Sequence, residues 1–254
     1  MPFVAAGGHR LEFAWFGAAN SSVSPIVMLH EGLGSLSLWK DFPQRLADST
    51  GRRVLAYSRY GYGASEPLAG PRTVDYMHVE ALVALSELLD RLEVRDPILF
   101  GHSDGASIAL IHTARSCRPV RAIVALAPHV FVEPYGLESI AEARVEFLDA
   151  DLRERLARRH DDVDSAFWGW NDIWLHPAFL AWNIESLLPK ITCPVLAIQG
   201  LDDEYGTLEQ IDRIARRLRP GQLTRVELAA CKHSPHRDQP DAVLVESVRF
   251  LRQS

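Results

Sequence analysis

The chain has 254 residues, of which 47% are hydrophobic and 24% charged, with a net charge of −6; this balance is ordinary for a soluble globular protein. Its length suits one large domain with an inserted lobe better than two independent domains. No Lys/Arg block supplies an electrostatic footprint for nucleic acid, and no apolar run approaches the roughly 20 residues of a membrane span.

Residues 9–16 alternate, with Leu11, Phe13 and Trp15 on one face and Arg10, Glu12 and Ala14 on the other. That period predicts a half-buried antiparallel strand, paired with Phe3-Val4 across a Gly7-Gly8 turn. After a polar loop, Asn20-Ser21-Ser22, the run Ile26 to Leu29 reads as an internal parallel strand that ends at His30-Glu31-Gly32-Leu33-Gly34. A helix is predicted over Trp39–Ala47, a strand over Arg53–Tyr57, and an amphipathic helix over Val74–Leu92. The run Ile98 to Phe100 predicts a buried strand, and the sequence from Ala106 to about Ser116 a helix. A strand over Ala122–Leu126 follows. Alternating strands and helices imply a mostly parallel sheet covered on both faces.

The alternation breaks after Pro128. Between there and Pro194 lie charged helical sequence from Glu138 to Arg159 and an aromatic cluster that includes Trp168, Trp170, Trp174 and Trp182. This predicts a helical cap over residues 130–190, inserted into a core formed by 1–129 and 191–254. Some of the tryptophans must fill the cap's own core; all four are candidates to line a substrate pocket, as is His129 just past a strand end. The sheet resumes at Val195–Gln199, followed by a helix over Thr207–Leu218, a strand over Leu223–Leu228 and a helix over Pro240–Leu251.

Between the buried strand at Ile98 and the helix at Ala106 lies Gly101-His102-Ser103-Asp104-Gly105. A Gly-x-Ser-x-Gly turn between strand and helix lifts the serine hydroxyl above the sheet, and glycines on either side let strand and helix approach closely. The Asp104 amide then stands at a helix N-terminus, able to donate to a developing oxyanion. A serine nucleophile also needs a base and an orienting acid. Asp202 and Asp203 follow one strand end, and His233 and His236 follow another, in the order Ser, Asp, His. The His30–Gly34 turn is placed to supply a second oxyanion amide.

These stretches, together with Arg59-Tyr60-Gly61-Tyr62-Gly63-Ala64-Ser65, resemble the α/β-hydrolase superfamily along essentially the whole chain. The resemblance implies an α/β-hydrolase fold, a mostly parallel sheet of about eight strands flanked by helices, and no cofactor. It also implies Ser103 as nucleophile, His233 as base and Asp203 as acid, with the Asp104 amide and that of Gly32 or Leu33 as the oxyanion hole. Two positions depart from the pattern: Glu31 stands where a glycine is usual, and Ser58 where an aspartate commonly anchors the next loop. The Ser-Asp elbow and the Leu-Gly-Ser turn are similar to valacyclovir-hydrolase-like members. The Asp104 carboxylate, with Glu31, is a candidate to recognise a cationic or hydroxyl-bearing group; its other role would be to complement the helix dipole.

The function expected is a serine hydrolase acting on a small-to-medium carboxylic ester or lactone. Alternatives are hydrolysis of a carbon–carbon bond in a ring-cleavage product, α-amino ester hydrolysis, or a receptor-like binder with slow turnover. The segment Met1 to Gly8 lacks the basic and apolar regions of a signal peptide. Cys117, Cys193 and Cys231 are odd in number and widely spaced, which predicts reduced thiols, no metal site and a cytoplasmic location. The partner expected is a small-molecule substrate.

Overall fold

Eight strands form one sheet in the order β1-β2-β4-β3-β5-β6-β7-β8, and the computed structural model describes residues 2–19, 21 and 23–253. Asn20 and Ser22 of the expected polar loop, and Met1, lie outside the described residues. Strands β1 (Phe3–Ala6) and β2 (His9–Phe16) are antiparallel, and β2 joins the rest by antiparallel pairing to β4 (Val54–Tyr57). From β4 onward the pairing is parallel: β3 (Ile26–Leu29), β5 (Ile98–His102), β6 (Ala122–Leu126), β7 (Val195–Gly200) and β8 (Leu223–Leu228). Because β3 leads outward to β4 while β5 starts the walk in the other direction, the strand order switches between β3 and β5. The carboxyl ends of these two strands therefore open a crevice, the place where open α/β sheets bind ligands.

Successive residues of the buried strands face opposite layers. Val27, Leu29, Leu55, Leu99 and Ile123 pack against α4 (Asp104–Arg115) and the helix formed by α2 (Tyr76–Val79), a π-type turn (Glu80–Ala84) and α3 (Leu85–Arg91). Ile26, Met28, Ala56, Phe100 and Val124 pack on the other face against α1 (Phe42–Thr50) and α10 (Pro240–Leu251). The helix expected over Trp39–Ala47 is instead a 3₁₀ turn, Leu36–Trp39, followed by α1. Pro43 accounts for the difference: it sits in the first turn of α1, where its missing N–H costs nothing, whereas a helix begun at Trp39 would hold it inside.

Between β6 and β7 the chain forms α5 (Pro134–Asp149), α6 (Leu152–Ala157) and α7 (Val163–Trp174), then two short 3₁₀ segments. The last helices are α8 (Glu209–Arg217) and the short α9 (Pro235–Asp238), which precedes α10.

Glu12, expected on the polar face of β2, is buried. Its carboxylate accepts the Ser58 hydroxyl at 2.5 Å and the Ala64 amide at 2.9 Å, while Ser58 Oγ accepts the Leu36 amide at 2.8 Å. The position where an aspartate is usual is thus served by a carboxylate from the neighbouring strand. Among the described residues no helix is long and apolar enough to cross a membrane.

Candidate active site

Ser103 lies directly after β5 with φ 52° and ψ −118°, a conformation L residues rarely adopt. Such a backbone costs about 1–3 kcal/mol and persists only where its surroundings over-determine it. Here the Ser103 amide donates to the Leu126 carbonyl at 2.9 Å, and its carbonyl accepts the Ala106 amide at 2.9 Å. A Cβ on Gly105 would fall 2.0 Å from the Leu29 carbonyl oxygen, and one on Gly101 would fall 2.4 Å from the Gly105 carbonyl. The elbow's glycines are required because strand and helix touch there.

His233 follows β8 and Ala230, another residue with positive φ. Its Nδ1 lies 2.8 and 2.9 Å from the two Asp203 oxygens. Asp203 also accepts from Gln199 Nε2 at 2.8 Å and from the amides of Tyr205 and Gly206 at 2.8 and 3.1 Å. Since a carboxylate can only accept, the His233 proton belongs on Nδ1, which leaves Nε2 with the lone pair. Burial alone would lower the His233 pKa, but the charge and hydrogen bond of Asp203, with Glu204 and Glu31, outweigh it and hold it above the ordinary value. Burial would raise Asp203; the charge and hydrogen bond of His233 and the Tyr205 amide hold it below the usual carboxylate range. Asp202, the neighbouring candidate, is exposed.

Behind His233, His102 Nε2 donates to the His233 carbonyl at 2.7 Å, and His102 Nδ1 lies 3.3 Å from Glu31 Oε2. His236 is sealed between Trp39, Phe42 and His102, and burial keeps its pKa well below the usual value.

The turn after β3 is held from below. The Glu31 carbonyl accepts from Arg59 Nη2 at 2.8 Å, His30 Nδ1 at 2.7 Å and the Gly34 amide at 3.1 Å. His30 Nε2 accepts the Arg59 amide at 3.0 Å, so both ring nitrogens of His30 are engaged. In a trans peptide C=O and N–H point in opposite directions. With the Glu31 carbonyl turned toward Arg59 and His30, the Gly32 amide of the same peptide unit points away from them. From the segment between β6 and β7, His160 Nε2 lies 3.1 Å from the Leu33 carbonyl, and its Nδ1 accepts the Gly63 amide at 2.9 Å.

A pocket of about 290 Å³ opens at Ser103. Its wall combines Glu31, Gly32, Leu33, Ser103, His129, His233 and Arg237 with Glu133, Ile140, Trp170 and Trp174 from the segment between β6 and β7. The structure thus gathers Ser103, His233, Glu31, Gly32, Leu33, His129, Trp170 and Trp174, with Asp203 directly behind His233.

Three sequence expectations need correction. Trp168 does not face this pocket; it lines a separate groove with Leu68, Arg72 and His176. Trp170 and Trp174 are four residues apart and share a helix face, whereas Trp168 falls on the opposite one. Trp182 is buried against Phe179 and Trp174, with ring centres 5.5 and 6.4 Å apart, and is absent from the pocket wall. The Asp104 carboxylate also turns inward: it accepts the Tyr76 hydroxyl at 2.8 Å and lies 3.6 Å from Arg59 Nη2, fully buried. It does not line the pocket, which excludes the recognition role expected of it.

Sequence reasoning missed Arg59, Glu133, Glu204, Tyr205, Arg237 and the bridging His160. Arg237 pairs with Glu31 at 2.6 Å, and the Glu204 carboxylate accepts the His233 amide at 3.2 Å. Glu204 and Tyr205 adjoin Asp203 and Arg237 adjoins His236, so nearness to the motifs was the one signal available.

Residues 26–246 match the model of the alpha/beta hydrolase family. A putative carbamate hydrolase RutD of Stutzerimonas stutzeri (strain A1501) is 30% identical over 225 residues, 79% of this chain and 82% of that protein. Among solved structures, the enol-lactonase of Burkholderia xenovorans LB400 superposes with a TM-score of 0.77 at 23% identity, covering 99% of this chain and 100% of its own. A structure from work on carboxylesterases of Nitrososphaera gargenis gives 0.80 at 20% identity, covering 99% and 98%. The structural likenesses carry the fold; with the family match and the RutD relative, they establish that this chain belongs to the alpha/beta hydrolase family.

Proposed function

We propose that the protein is a cofactor-free serine hydrolase that cleaves a small-to-medium carboxylic ester or lactone through an acyl-enzyme at Ser103. The observation that carries this reading is that His233, paired with Asp203 at 2.8 Å, lines the same pocket as the strained Ser103. Ser103 Oγ attacks the carbonyl carbon as its proton passes to His233 Nε2. The resulting oxyanion is held by the amides of Asp104 and Gly32; the orientation of the Glu31–Gly32 peptide favours Gly32 over Leu33. Collapse expels the alkoxide, which takes the proton from His233. Water then gives a proton to His233 and attacks the acyl group, releasing the acid and restoring Ser103. Asp203 keeps the imidazole in the working tautomer and stabilises its cation.

Residues 130–190 act in this reading as a cap whose Trp170 and Trp174 close the pocket over the substrate. Glu31, Glu133 and Glu204 line that pocket with the single guanidinium of Arg237, itself paired to Glu31. Such a wall repels anions, which weighs against the carboxylate-bearing products of ring cleavage as substrates. Cys117, Cys193 and Cys231 are free thiols, in keeping with a reducing cytoplasmic setting.

The test is the pH profile of kcat/KM on a chromogenic ester. His233 must be neutral to act, and its pKa is raised by Asp203. Activity should therefore climb with pH through a value above 6.5, the unperturbed histidine pKa. Asp203→Asn removes the charge that raises it and leaves burial, so the residual activity should climb at lower pH. Absence of multiple turnover on every ester and lactone would favour a binder. An unmoved limb in Asp203→Asn would remove Asp203 from its role.

A further inference from the structure

β6 ends at Leu126, and the next residue, Ala127, takes a left-handed φ of 44° while its amide donates to the Ile198 carbonyl at 2.8 Å. Strain of this kind in a non-glycine residue tends to be stored at functional sites. The turn delivers His129 into the wall of the Ser103 pocket. Ser107 Oγ, one helical turn beyond the nucleophile, fixes it there by donating to the His129 carbonyl at 2.6 Å. The residue is only 5% exposed; its ring packs edge-on against Trp174 with centres 5.2 Å apart and lies 5.6 Å from the ring of His233.

Neither ring nitrogen of His129 has a hydrogen-bond partner among the described residues. The other imidazoles around the site differ: both nitrogens of His30 and of His160 are engaged, and His102 is bound to the His233 backbone. His236 also lacks partners, but it is enclosed by Trp39, Phe42 and His102 and does not line the pocket. The His129 nitrogens are not sealed off in that way and stay open to hydrogen bonding from outside the protein. For His129 the open side is the pocket.

We propose that His129 is a specificity residue that hydrogen-bonds an uncharged oxygen of the substrate, a hydroxyl or a carbonyl beside the scissile group. The enzyme would then select oxygenated esters or lactones over plain alkyl ones; this rests on the ester-hydrolase reading above. Burial, reinforced by the neighbouring His233, pushes the His129 pKa down to about 3. The ring therefore offers one donor and one acceptor without charge at any working pH. A carboxylate in that position would meet no cation on His129 and would add a further negative charge to a wall that already holds Glu31, Glu133 and Glu204. A neutral oxygen satisfies the imidazole without that repulsion.

The experiment uses matched esters of one chain length: unsubstituted, bearing a single hydroxyl or oxo group on the acyl or the alcohol side, and bearing an ammonium group. Wild-type enzyme should cleave at least one oxygenated ester with kcat/KM about tenfold or more above the unsubstituted one, since a site built around a substrate hydroxyl discriminates strongly against its absence. His129→Phe, which keeps the packing on Trp174, should bring that ratio close to one, and His129→Gln should retain part of it. Affinities of the matching amides for Ser103→Ala, read by calorimetry, should show the same preference without needing turnover. If wild type cleaves no ester, the hydrolase reading falls while these affinities still decide His129. Equal rates and equal affinities for oxygenated and plain ligands would overturn the proposal. So would a preference that survives in His129→Phe, or an ammonium preference unaffected by it, which would assign selectivity to the carboxylates. Should His129→Phe not fold, a preference in His129→Gln undiminished from wild type would overturn it as well.

Discussion

Ser103→Ala and His233→Ala are each expected to lower kcat by about 10⁴–10⁶-fold, because nucleophile and base act as a unit and losing either removes the covalent route. Both variants should fold. Alanine at 103 bears the same left-handed strain as serine, and the amide and carbonyl that fix the turn, to Leu126 and Ala106, are backbone groups. His233→Ala leaves Asp203 with its bonds from Gln199, Tyr205 and Gly206. Circular dichroism and the unfolding midpoint should stay near wild type while turnover of a chromogenic ester collapses. A Ser103→Ala enzyme with near-normal turnover would remove the serine from the chemistry altogether.

The second large effect is expected at Arg59, which contacts no substrate. Its guanidinium holds the Glu31 carbonyl and lies 3.6 Å from the Asp104 carboxylate, so it ties together the two loops whose amides are proposed to form the oxyanion hole. It is fully buried and also rests over the Tyr62 ring, 4.8 Å from its centre. Arg59→Met strands the Asp104 charge and frees the Glu31 peptide. Breaking one side of a buried pair costs about 3–5 kcal/mol, which urea unfolding would measure. Where the variant remains folded, kcat should fall by about 10²-fold, the loss typical of one misplaced oxyanion donor, with KM little changed. Affinity for a boronate that mimics the oxyanion should fall in parallel. Arg59→Lys keeps charge without the planar fork and should lie between. Wild-type kcat and boronate affinity in folded Arg59→Met would show that the loops hold their geometry without it.

Much of this architecture can be read from the residues. The strand at Ala122–Leu126 and the elbow at Gly101–Gly105 are legible because buried parallel strands are continuous apolar runs and because a touching strand and helix demand glycine. What was not legible depends on contacts between distant segments. Glu12 looks like the polar side of a half-buried strand, yet it anchors the loop beyond β4 by accepting the hydroxyl of Ser58, 46 residues away. Asp104 reads as a charge beside the nucleophile, but the rotation of α4 turns it toward Tyr76 and Arg59. The tryptophan cluster showed that an aromatic wall existed; only the helical phase of α7 separates Trp170 and Trp174 from Trp168. His160, which reads as an ordinary packing histidine, clamps the turn after β3 because the chain beyond α6 brings it back over Leu33.

The central claim, a covalent acyl-enzyme on Ser103, is tested most directly by trapping it. Wild-type protein is mixed with an ester whose acyl group deacylates slowly, quenched in acid, and analysed by intact mass and peptide mapping. The expected result is a mass increase equal to one acyl group, located on the peptide containing Ser103 and absent from Ser103→Ala. Ester hydrolysis with no acyl adduct, or an adduct on another residue that persists in Ser103→Ala, would contradict it.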